Sequence, residues 1–136
     1  MRFVSLQLIL ALASSSTVAN KTCVMPHENS GDDSPGILSA VASCGNNSTI
    51  VFTEGITYNL LTPLSFNGLQ GVKFLFEGNV SLSRNVSEVE AVVTSKKIYP
   101  GRWITIKGSN VVFSGSKSLN SGWFLGRIPQ FAGNIF

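Results

Sequence analysis

Two adjacent carboxylates stand in front of a helix-like stretch in the segment GDDSPGILSAVASCG, residues 31–45. Asp32 and Asp33 are the only aspartates of the chain. A pair of carboxylates is what a glycoside hydrolase needs, one to protonate the leaving oxygen and one to activate water or attack the sugar. Aspartate is also a preferred N-cap, and negative charge is favourable at a helix N-terminus. These residues therefore have two interpretations, half of an active site or the start of a helix.

Few side chains of this chain could hold a metal ion. The sequence has one histidine, His27, and two cysteines, Cys23 and Cys44. Structural zinc sites take four nitrogen or sulfur ligands, so this set does not make a convincing zinc site. An even pair of cysteines in an exported chain predicts a disulfide instead, and closing that loop would stabilise the fold by about 3 kcal/mol. We expect no metal and no cofactor.

The first residues have the anatomy of a secretory signal peptide, assigned here to residues 1–19. Arg2 supplies the positive charge, an apolar run covers residues 3–13, and small residues follow. Cleavage is predicted after Ala19 or, alternatively, after Ala13. The apolar run is too short to span a bilayer, and the alternative interpretation is a buried N-terminal helix. We expect an exported, extracellular product that is not membrane-bound after cleavage.

Several N-x-S/T sequons follow in the expected mature chain, which favours a glycoprotein, although such matches also arise by chance in sequence rich in Asn and Ser. The candidate glycosylation sites are Asn20, Asn46, Asn47, Asn79 and Asn85.

The net charge of +3 is small and includes Arg2 of the signal peptide. With no binding motif and an extracellular destination, this charge excludes nucleic acid as a partner. A local basic stretch with interleaved aromatic residues could contact an acidic polysaccharide, and a solvated surface is the plainer interpretation. The candidate substrate-binding residues are Lys96, Lys97, Arg102 and Trp103, with Lys107 nearby.

One short helix is predicted over residues 35–44, because Ile37, Val41 and Cys44 recur at helical spacing. Asp33 or Ser34 would be its N-cap, with a proline at the first helical position. After this helix the pattern changes to short β-branched and aromatic runs separated by Gly and Asn, which predicts strands and no further helix. The predicted strands are residues 49–52, 57–60, 72–76, 80–82, 91–94, 103–107 and 111–115.

The predicted strands carry apolar or small residues on both faces, which suits either a β-sandwich or a parallel β-helix. The segments GVKFLFEGNVSL and RWITIKGSNVVF resemble each other about thirty residues apart, as repeats of a solenoid do. A β-helix exposes an apolar end that needs a cap, and the predicted helix lies where it could serve as one. Periodicity alone does not choose between the two architectures.

Three segments together resemble one family: KTCVMP…GDDSPGILSAVASCGNNSTIVFTEGITYNLLTPLSF, LQGVKFLFEGNVSLSRNV and WITIKGSNVVFSGS. They are similar to the N-terminal region of fungal family 28 glycoside hydrolases, especially exo-acting polygalacturonases, over residues 21–116. The resemblance implies an all-β, right-handed single-stranded parallel β-helix of the pectin lyase-like type, first coils only, with the short helix as its cap. It also implies secretion, a monomer, pectin as substrate and inverting hydrolysis of galacturonosyl bonds.

The catalytic motifs of that family, written NTD, DD, GHG and RIK, do not map onto this chain. The aspartate pair lies before the first predicted strand, and His27 is not between glycines. Arg127 and Ile128 are followed by Pro129 in place of the lysine of RIK. We therefore predict no catalytic residue here and expect the chain alone to be inactive. Residues 20–116 are assigned to the β-helix coils and residues 117–136 to a divergent tail, from truncation or mis-splicing.

Two further functions remain open from the residues alone. The chain could be a non-catalytic, secreted module that binds pectate through the basic stretch, or a structural β-rich protein with no role in carbohydrate chemistry.

Overall fold

The computed structural model describes residues 20–29, 31–95, 101–118 and 121–125. The predicted signal peptide, Lys96, Lys97 and most of the predicted tail lie outside these ranges. Within them the chain forms eight strands and two helices. In chain order they are β1 (Lys21–Val24), α1 (Ser34–Ser43), β2 (Asn46–Phe52), β3 (Thr57–Leu60), β4 (Leu64–Phe76), β5 (Asn79–Leu82), α2 (Val86–Thr94), β6 (Ile104–Ser109), β7 (Val112–Gly115) and β8 (Phe124–Leu125).

The strands form two sheets in which every described pair is parallel. One sheet has the order β1-β2-β4-β6, with β7 also paired to β4, and the other has the order β3-β5-β8. Ile50 of β2 faces Phe74 of β4 in register, and Phe74 faces Phe113 of β7. The chain thus returns repeatedly to each sheet and lays a new strand parallel to the previous one. The expectation of a mostly β fold with parallel strands is confirmed.

Strand β4 is thirteen residues long and pairs with three other strands. Its first part pairs with β6 and its second part with β2 and β7, with a shift in register between Phe66 and Leu69. Gly68 and Gly71 have φ values of 71° and 61°, in the left-handed region that glycine adopts at low cost. These glycines allow the strand to change direction, so the predicted strand 72–76 is only the second part of a longer element.

The interior is apolar and contains stacked aromatic rings. The ring centroids of Phe52 and Phe76 lie 4.6 Å apart, and those of Phe74 and Phe113 lie 5.4 Å apart. Phe52, Phe66 and Phe74 are buried. Phe113 is 49% exposed although its ring stacks on Phe74.

Helix α1 packs its apolar side against the sheet that contains β4, with Ile37 and Val41 buried. The predicted disulfide is confirmed, because Cys23 in β1 is bonded to Cys44 at the end of α1, with the two Cα atoms 6.5 Å apart. This bond fixes the C-terminal end of α1 to the edge strand of the first sheet.

The prediction of a strand at residues 91–94 is wrong, because these residues are the last turn of α2. The Asn85 side chain accepts a hydrogen bond from the Glu88 backbone N–H and so starts the helix. Val89 and Val93, four positions apart, pack against the core and are half-buried. Strand β1 is likewise an element that the sequence did not predict. In the described parts of the chain, neither helix has the length and apolar character needed to cross a bilayer.

Candidate functional site

Asp32 lies in the connection that precedes α1 and is bound by three donors. Its Oδ1 accepts from the backbone N–H of Ser34 at 3.0 Å and of Leu61 at 2.9 Å. Its Oδ2 accepts from the hydroxyl of Thr62 at 2.6 Å. Burial raises the pKa of Asp32, but the hydrogen bonds from Thr62, Ser34 and Leu61 outweigh burial, and the pKa lies below its ordinary value of 3.8. Asp32 therefore holds the start of α1 against the turn after β3.

Asp33 occupies the N-cap position of α1, yet its side chain does not cap the helix. Its backbone is helical, with φ −74° and ψ −14°, whereas a capping residue normally has extended backbone angles. Its carboxylate accepts instead from the backbone N–H groups of Glu28 and Asn59, both at 2.6 Å. The residue is 1% exposed. The prediction that Asp33 or Ser34 caps the helix is thus wrong for Asp33, and the Ser34 hydroxyl also turns elsewhere, donating to the Thr62 carbonyl.

His27 completes this cluster from the loop after β1. Its Nδ1 lies 3.1 Å from Asp33 Oδ2 and 3.2 Å from Asp33 Oδ1. An ionised carboxylate only accepts, so the fitting tautomer has its proton on Nδ1. The imidazole meets the ring of Tyr58 edge to face, at 5.6 Å between centroids. Within the described ranges, no group of three or more His, Cys, Asp or Glu side chains could hold a metal ion.

The arrangement of the two aspartates is suited to positioning and not to acid–base work. A general acid or base must reach a proton on the substrate. Asp33 is buried, and both of its oxygens are occupied by backbone donors. Asp32 is more accessible, but both of its oxygens also accept internal hydrogen bonds. The pair joins the loop before α1 to the end of β3, and this favours the structural interpretation over half of an active site.

The four residues predicted to bind substrate are not all brought to the surface. Arg102 is exposed, and so is the nearby Lys107. Trp103 is 7% exposed, and its indole N–H donates to the Leu60 carbonyl at 3.2 Å. Its ring therefore presents no open face on which a sugar could stack, and Trp103 is a core residue. Lys96 and Lys97 lie outside the described residues.

The five sequons have different surroundings. Asn20, Asn46, Asn47 and Asn85 are exposed, whereas Asn79 is half-buried. The Asn79 side-chain oxygen accepts from the backbone N–H of Trp123 at 3.0 Å. In the Asn46 sequon the hydroxyl residue is Ser48, which is buried and donates to the Cys44 carbonyl.

A cavity of about 550 Å³ opens beside strands β6 and β7. Its lining is apolar and glycine-rich, and includes Ile104, Ile106, Val111 and Phe113. None of the described residues that line it has a titratable side chain. The cavity therefore offers a largely apolar surface.

Comparison with known proteins relates this chain to a group of fungal enzymes. It is 37% identical to "Probable exopolygalacturonase C" of Aspergillus terreus over 122 residues, which cover 89% of this chain and 27% of the relative. Its identity to the protein of the same name from Aspergillus flavus is 34% over 112 residues, 82% of this chain and 25% of the relative. An exopolygalacturonase of Rhizopus delemar is 29% identical over 111 residues.

The chain is homologous to fungal exopolygalacturonases. This relationship confirms the resemblance inferred from the residues. The chain spans about a quarter of the length of the two Aspergillus relatives. No protein-family model matches the sequence, and no solved structure matches it.

The aspartate cluster of this exopolygalacturonase homologue involves residues that the sequence did not single out. Tyr58 is buried, and its hydroxyl accepts from the Thr53 N–H at 3.0 Å and donates to the Met25 carbonyl at 3.3 Å. Thr62 binds both Asp32 and Ser34. No local pattern marks these partners, because they lie about thirty positions from the aspartates. They come together because the segment before α1 lies against the end of β3, where the Asp33 N–H donates to the Asn59 carbonyl at 2.8 Å.

Proposed function

We propose that this chain is part of a secreted polygalacturonase-type glycoside hydrolase that acts on galacturonan in pectin, with inversion at the anomeric carbon. The observation that carries this proposal is the relationship to exopolygalacturonases over 89% of the chain. Pectin is then the polysaccharide partner, and cell-wall modification the process. We further propose that the protein is extracellular, monomeric and free of the membrane once residues 1–19 are removed.

The proposed architecture is the first coils of a right-handed parallel β-helix of the pectin lyase-like type, with α1 as its cap. Register partners support it, since Ile50 and Phe74 are 24 positions apart and Tyr58 and Val80 are 22 apart. One coil would thus take 22–24 residues. The next return is longer, with Leu64 facing Ile104, because α2 and its flanking residues lie between β5 and β6. Parallel crossovers are right-handed almost without exception, which favours that hand.

Within this architecture we assign residues 20–116 to the coils and residues 117–136 to a divergent tail. The role proposed for the described residues is to close and support one end of the coil stack. Asp32 and Asp33 stabilise that end through backbone donors, and neither is free to act on a sugar. The 136-residue chain alone is therefore proposed to be inactive on pectin, with catalysis requiring residues that it does not contain.

A reducing-sugar assay on the purified chain with polygalacturonic acid tests this role. We expect no release of reducing ends above the buffer blank, while an intact fungal exopolygalacturonase in the same assay releases them. Circular dichroism on the same sample establishes that the chain is folded. Turnover by the chain that is lost in Asp32→Asn or Asp33→Asn, with folding retained, would overturn the proposed inactivity and make the pair catalytic.

The second candidate is a non-catalytic pectate-binding or structural β-helix protein. It is favoured by the exposed cations Arg102 and Lys107, because galacturonate carries one carboxylate per sugar. Co-sedimentation with calcium-free pectate gels at low and high salt tests it, since binding between exposed charges weakens with salt. Binding that is lost in Arg102→Ala/Lys107→Ala but kept in the matched Lys117→Ala would support this function. Equal binding by all three proteins would remove the basic surface from consideration.

A further inference from the structure

The five sequons differ in whether the folded chain leaves room for a glycan. The sequon 85–87 is exposed at all three positions. The sequon 79–81 lies in β5, between β3 and β8, with Val80 buried at its centre. We propose that Asn85 carries an N-linked glycan in the exported protein and that Asn79 does not. This inference rests on the export proposed above.

The Asn85 side chain can accept a glycan without giving up its role in the helix. Its Oδ1 accepts from the Glu88 N–H at 3.3 Å and caps α2, and this bond does not use the Nδ2 group. In glycan transfer, Nδ2 forms a bond to C1 of the first sugar of a lipid pyrophosphate-linked oligosaccharide. The C1–oxygen bond to the pyrophosphate breaks, the lipid pyrophosphate leaves, and Nδ2 gives up one proton. The product is a secondary amide whose oxygen accepts hydrogen bonds as a peptide carbonyl does.

Asn79, in contrast to Asn85, is surrounded by paired strands. Thr57 of β3 is its register partner on one side, and on the other side its Oδ1 accepts from the Trp123 N–H at 3.0 Å. The Val80 N–H donates to the Trp123 carbonyl at 2.8 Å, so the backbone on both sides of the sequon is paired. Because Asn79 is half-buried and its Oδ1 is held by the Trp123 N–H, a sugar on Nδ2 would compete with the pairing of β5 and β8. Folding of the β8 strand onto β5 therefore selects against a glycan at this position.

The remaining sequons are less favourable than Asn85 for separate reasons. Ser48, the hydroxyl residue of the Asn46 sequon and the middle residue of the Asn47 sequon, is buried. A Cβ added at Gly71 would lie only 2.6 Å from Asn47 Oδ1, so the Asn47 amide is packed against the neighbouring coil. Asn20 is exposed, but cleavage after Ala19 would make it the first residue of the mature chain.

The chain offers a direct measurement, because trypsin separates the two key sequons. Cleavage after Lys73, Arg84 and Lys96 releases peptides 74–84 and 85–96, each with one sequon. The full chain is secreted from a yeast host, treated with peptide N-glycosidase in heavy-oxygen water and digested. We expect the mass signature of deglycosylation on peptide 85–96 and not on peptide 74–84. An unmodified peptide 85–96, or a modified peptide 74–84, would overturn the assignment.

Two leader sequences distinguish a chain that is not exported from a chain that is exported but not glycosylated at Asn85. The chain is translated with microsomes, once with residues 1–19 and once with a proven secretory leader, and protease protection reports entry. A chain that enters only with the proven leader and is then modified at Asn85 contradicts the proposed export and supports the site. A protected chain with a bare Asn85 overturns the site whichever leader is used.

Matched variants separate the glycan from the cap. Ser87→Ala destroys the sequon and leaves the Asn85 oxygen in place, so it should lose the glycan and keep the melting temperature of wild-type chain produced without glycosylation. Asn85→Asp also loses the glycan while retaining an acceptor at the cap. Asn85→Gln should lose both the glycan and the helix cap, and its melting temperature should be lower than that of Ser87→Ala and Asn85→Asp. Ser81→Ala is the control at the other sequon and should leave the glycan pattern unchanged; a loss of mass in Ser81→Ala would place the glycan on Asn79.

Discussion

Helices α1 and α2 both begin after a residue that is favoured at N-caps, but they are stabilised in different ways. Both follow a residue favoured at N-caps, Asp33 for α1 and Asn85 for α2. Asn85 has extended backbone angles, with φ −78° and ψ 92°, and its side chain caps the helix. Asp33 has helical backbone angles, and its side chain instead joins the loop after β1 to strand β3. Helix α1 buries residues and is tied down by a disulfide, whereas α2 has no fully buried residue.

This difference shows that the same residue type at a helix start can have a local or a long-range role. The Asn85 side chain bonds a backbone N–H only three positions away, so it contributes the stability of one helix cap. For Asp33 one partner is 26 positions away, and the carboxylate joins the loop after β1 to strand β3. The effects of mutation at the two helix starts should therefore differ severalfold, with the larger loss of stability at α1.

The largest effect is expected for Asp33→Ala. The substitution removes a buried carboxylate and leaves the backbone N–H groups of Glu28 and Asn59 without their acceptor in a partly buried site, and we expect a loss of about 3–5 kcal/mol in the free energy of unfolding. Urea denaturation of the folded chain measures it. Asp33→Asn, which keeps one oxygen, is the matched control and should lose less. A change below about 1 kcal/mol for Asp33→Ala would remove the distinction between the two helix starts.

Loss of the disulfide at the other end of α1 should rank second. Cys23→Ser/Cys44→Ser opens a loop with a sequence separation of 21 and is expected to lower the free energy of unfolding by about 3 kcal/mol. Reduction of the wild-type chain gives the same comparison without mutation. Because α2 has no such bond, a thermolysin-cleavage time course should show faster cutting in α1 of the reduced chain and unchanged cutting in α2.

Helix α1 was predictable from the sequence, whereas α2 was not recognised. The apolar spacing of α1 and its proline are strong signals. In α2, the run AVVT is β-branched and favours a strand by propensity, but Asn85 and Glu88 match a capping pattern, and the valines at 89 and 93 have helical spacing. The strand propensity of the β-branched run thus conceals the helical spacing of the valines. Strand β1 is four residues long and becomes regular only through parallel pairing with β2.

The contribution of Asp32 should depend on pH. Its pKa is lowered in the folded chain, so its contribution is fully present above the ordinary pKa of 3.8 and is lost as the pH falls through the lower folded-state pKa. Asp32→Asn should cost about 1–2 kcal/mol at neutral pH. Denaturation of wild type and variant at several pH values measures the difference, which should shrink at the acidic end. A difference that grows as the pH falls would have the wrong sign for this carboxylate.

The smallest effect is expected for Asn85→Ala in glycan-free protein. Loss of one exposed cap should reduce the free energy of unfolding by about 0.5–1 kcal/mol. Asn85→Asp restores an acceptor and adds favourable charge at the helix N-terminus, so it should match or exceed the wild type. Thermal unfolding resolves the three proteins. A loss for Asn85→Ala as large as that for Asp33→Ala would mean that α2 is as deeply coupled to the fold as α1.

The sequence indicates which residues form the candidate site but not how they are arranged. The aspartate pair, His27 and the cysteines are evident from residue type alone. Their hydrogen-bond partners after β3 are set by the parallel register of strands, which no local pattern encodes. Trp103 lies among basic residues and is a candidate for stacking on a sugar, but its position before β6 directs the ring into the core, where the Leu60 carbonyl accepts its N–H.

Strand β4 has a consequence for the way the chain opens. Each strand pairs only with strands one return earlier or later, so stability is close to a sum of neighbouring contributions along a single axis. β4 is the element shared by β2, β6 and β7. Amide hydrogen exchange should therefore be slowest in β2 and β4 and quicken towards both ends, so that fraying stays local until β4 itself is released.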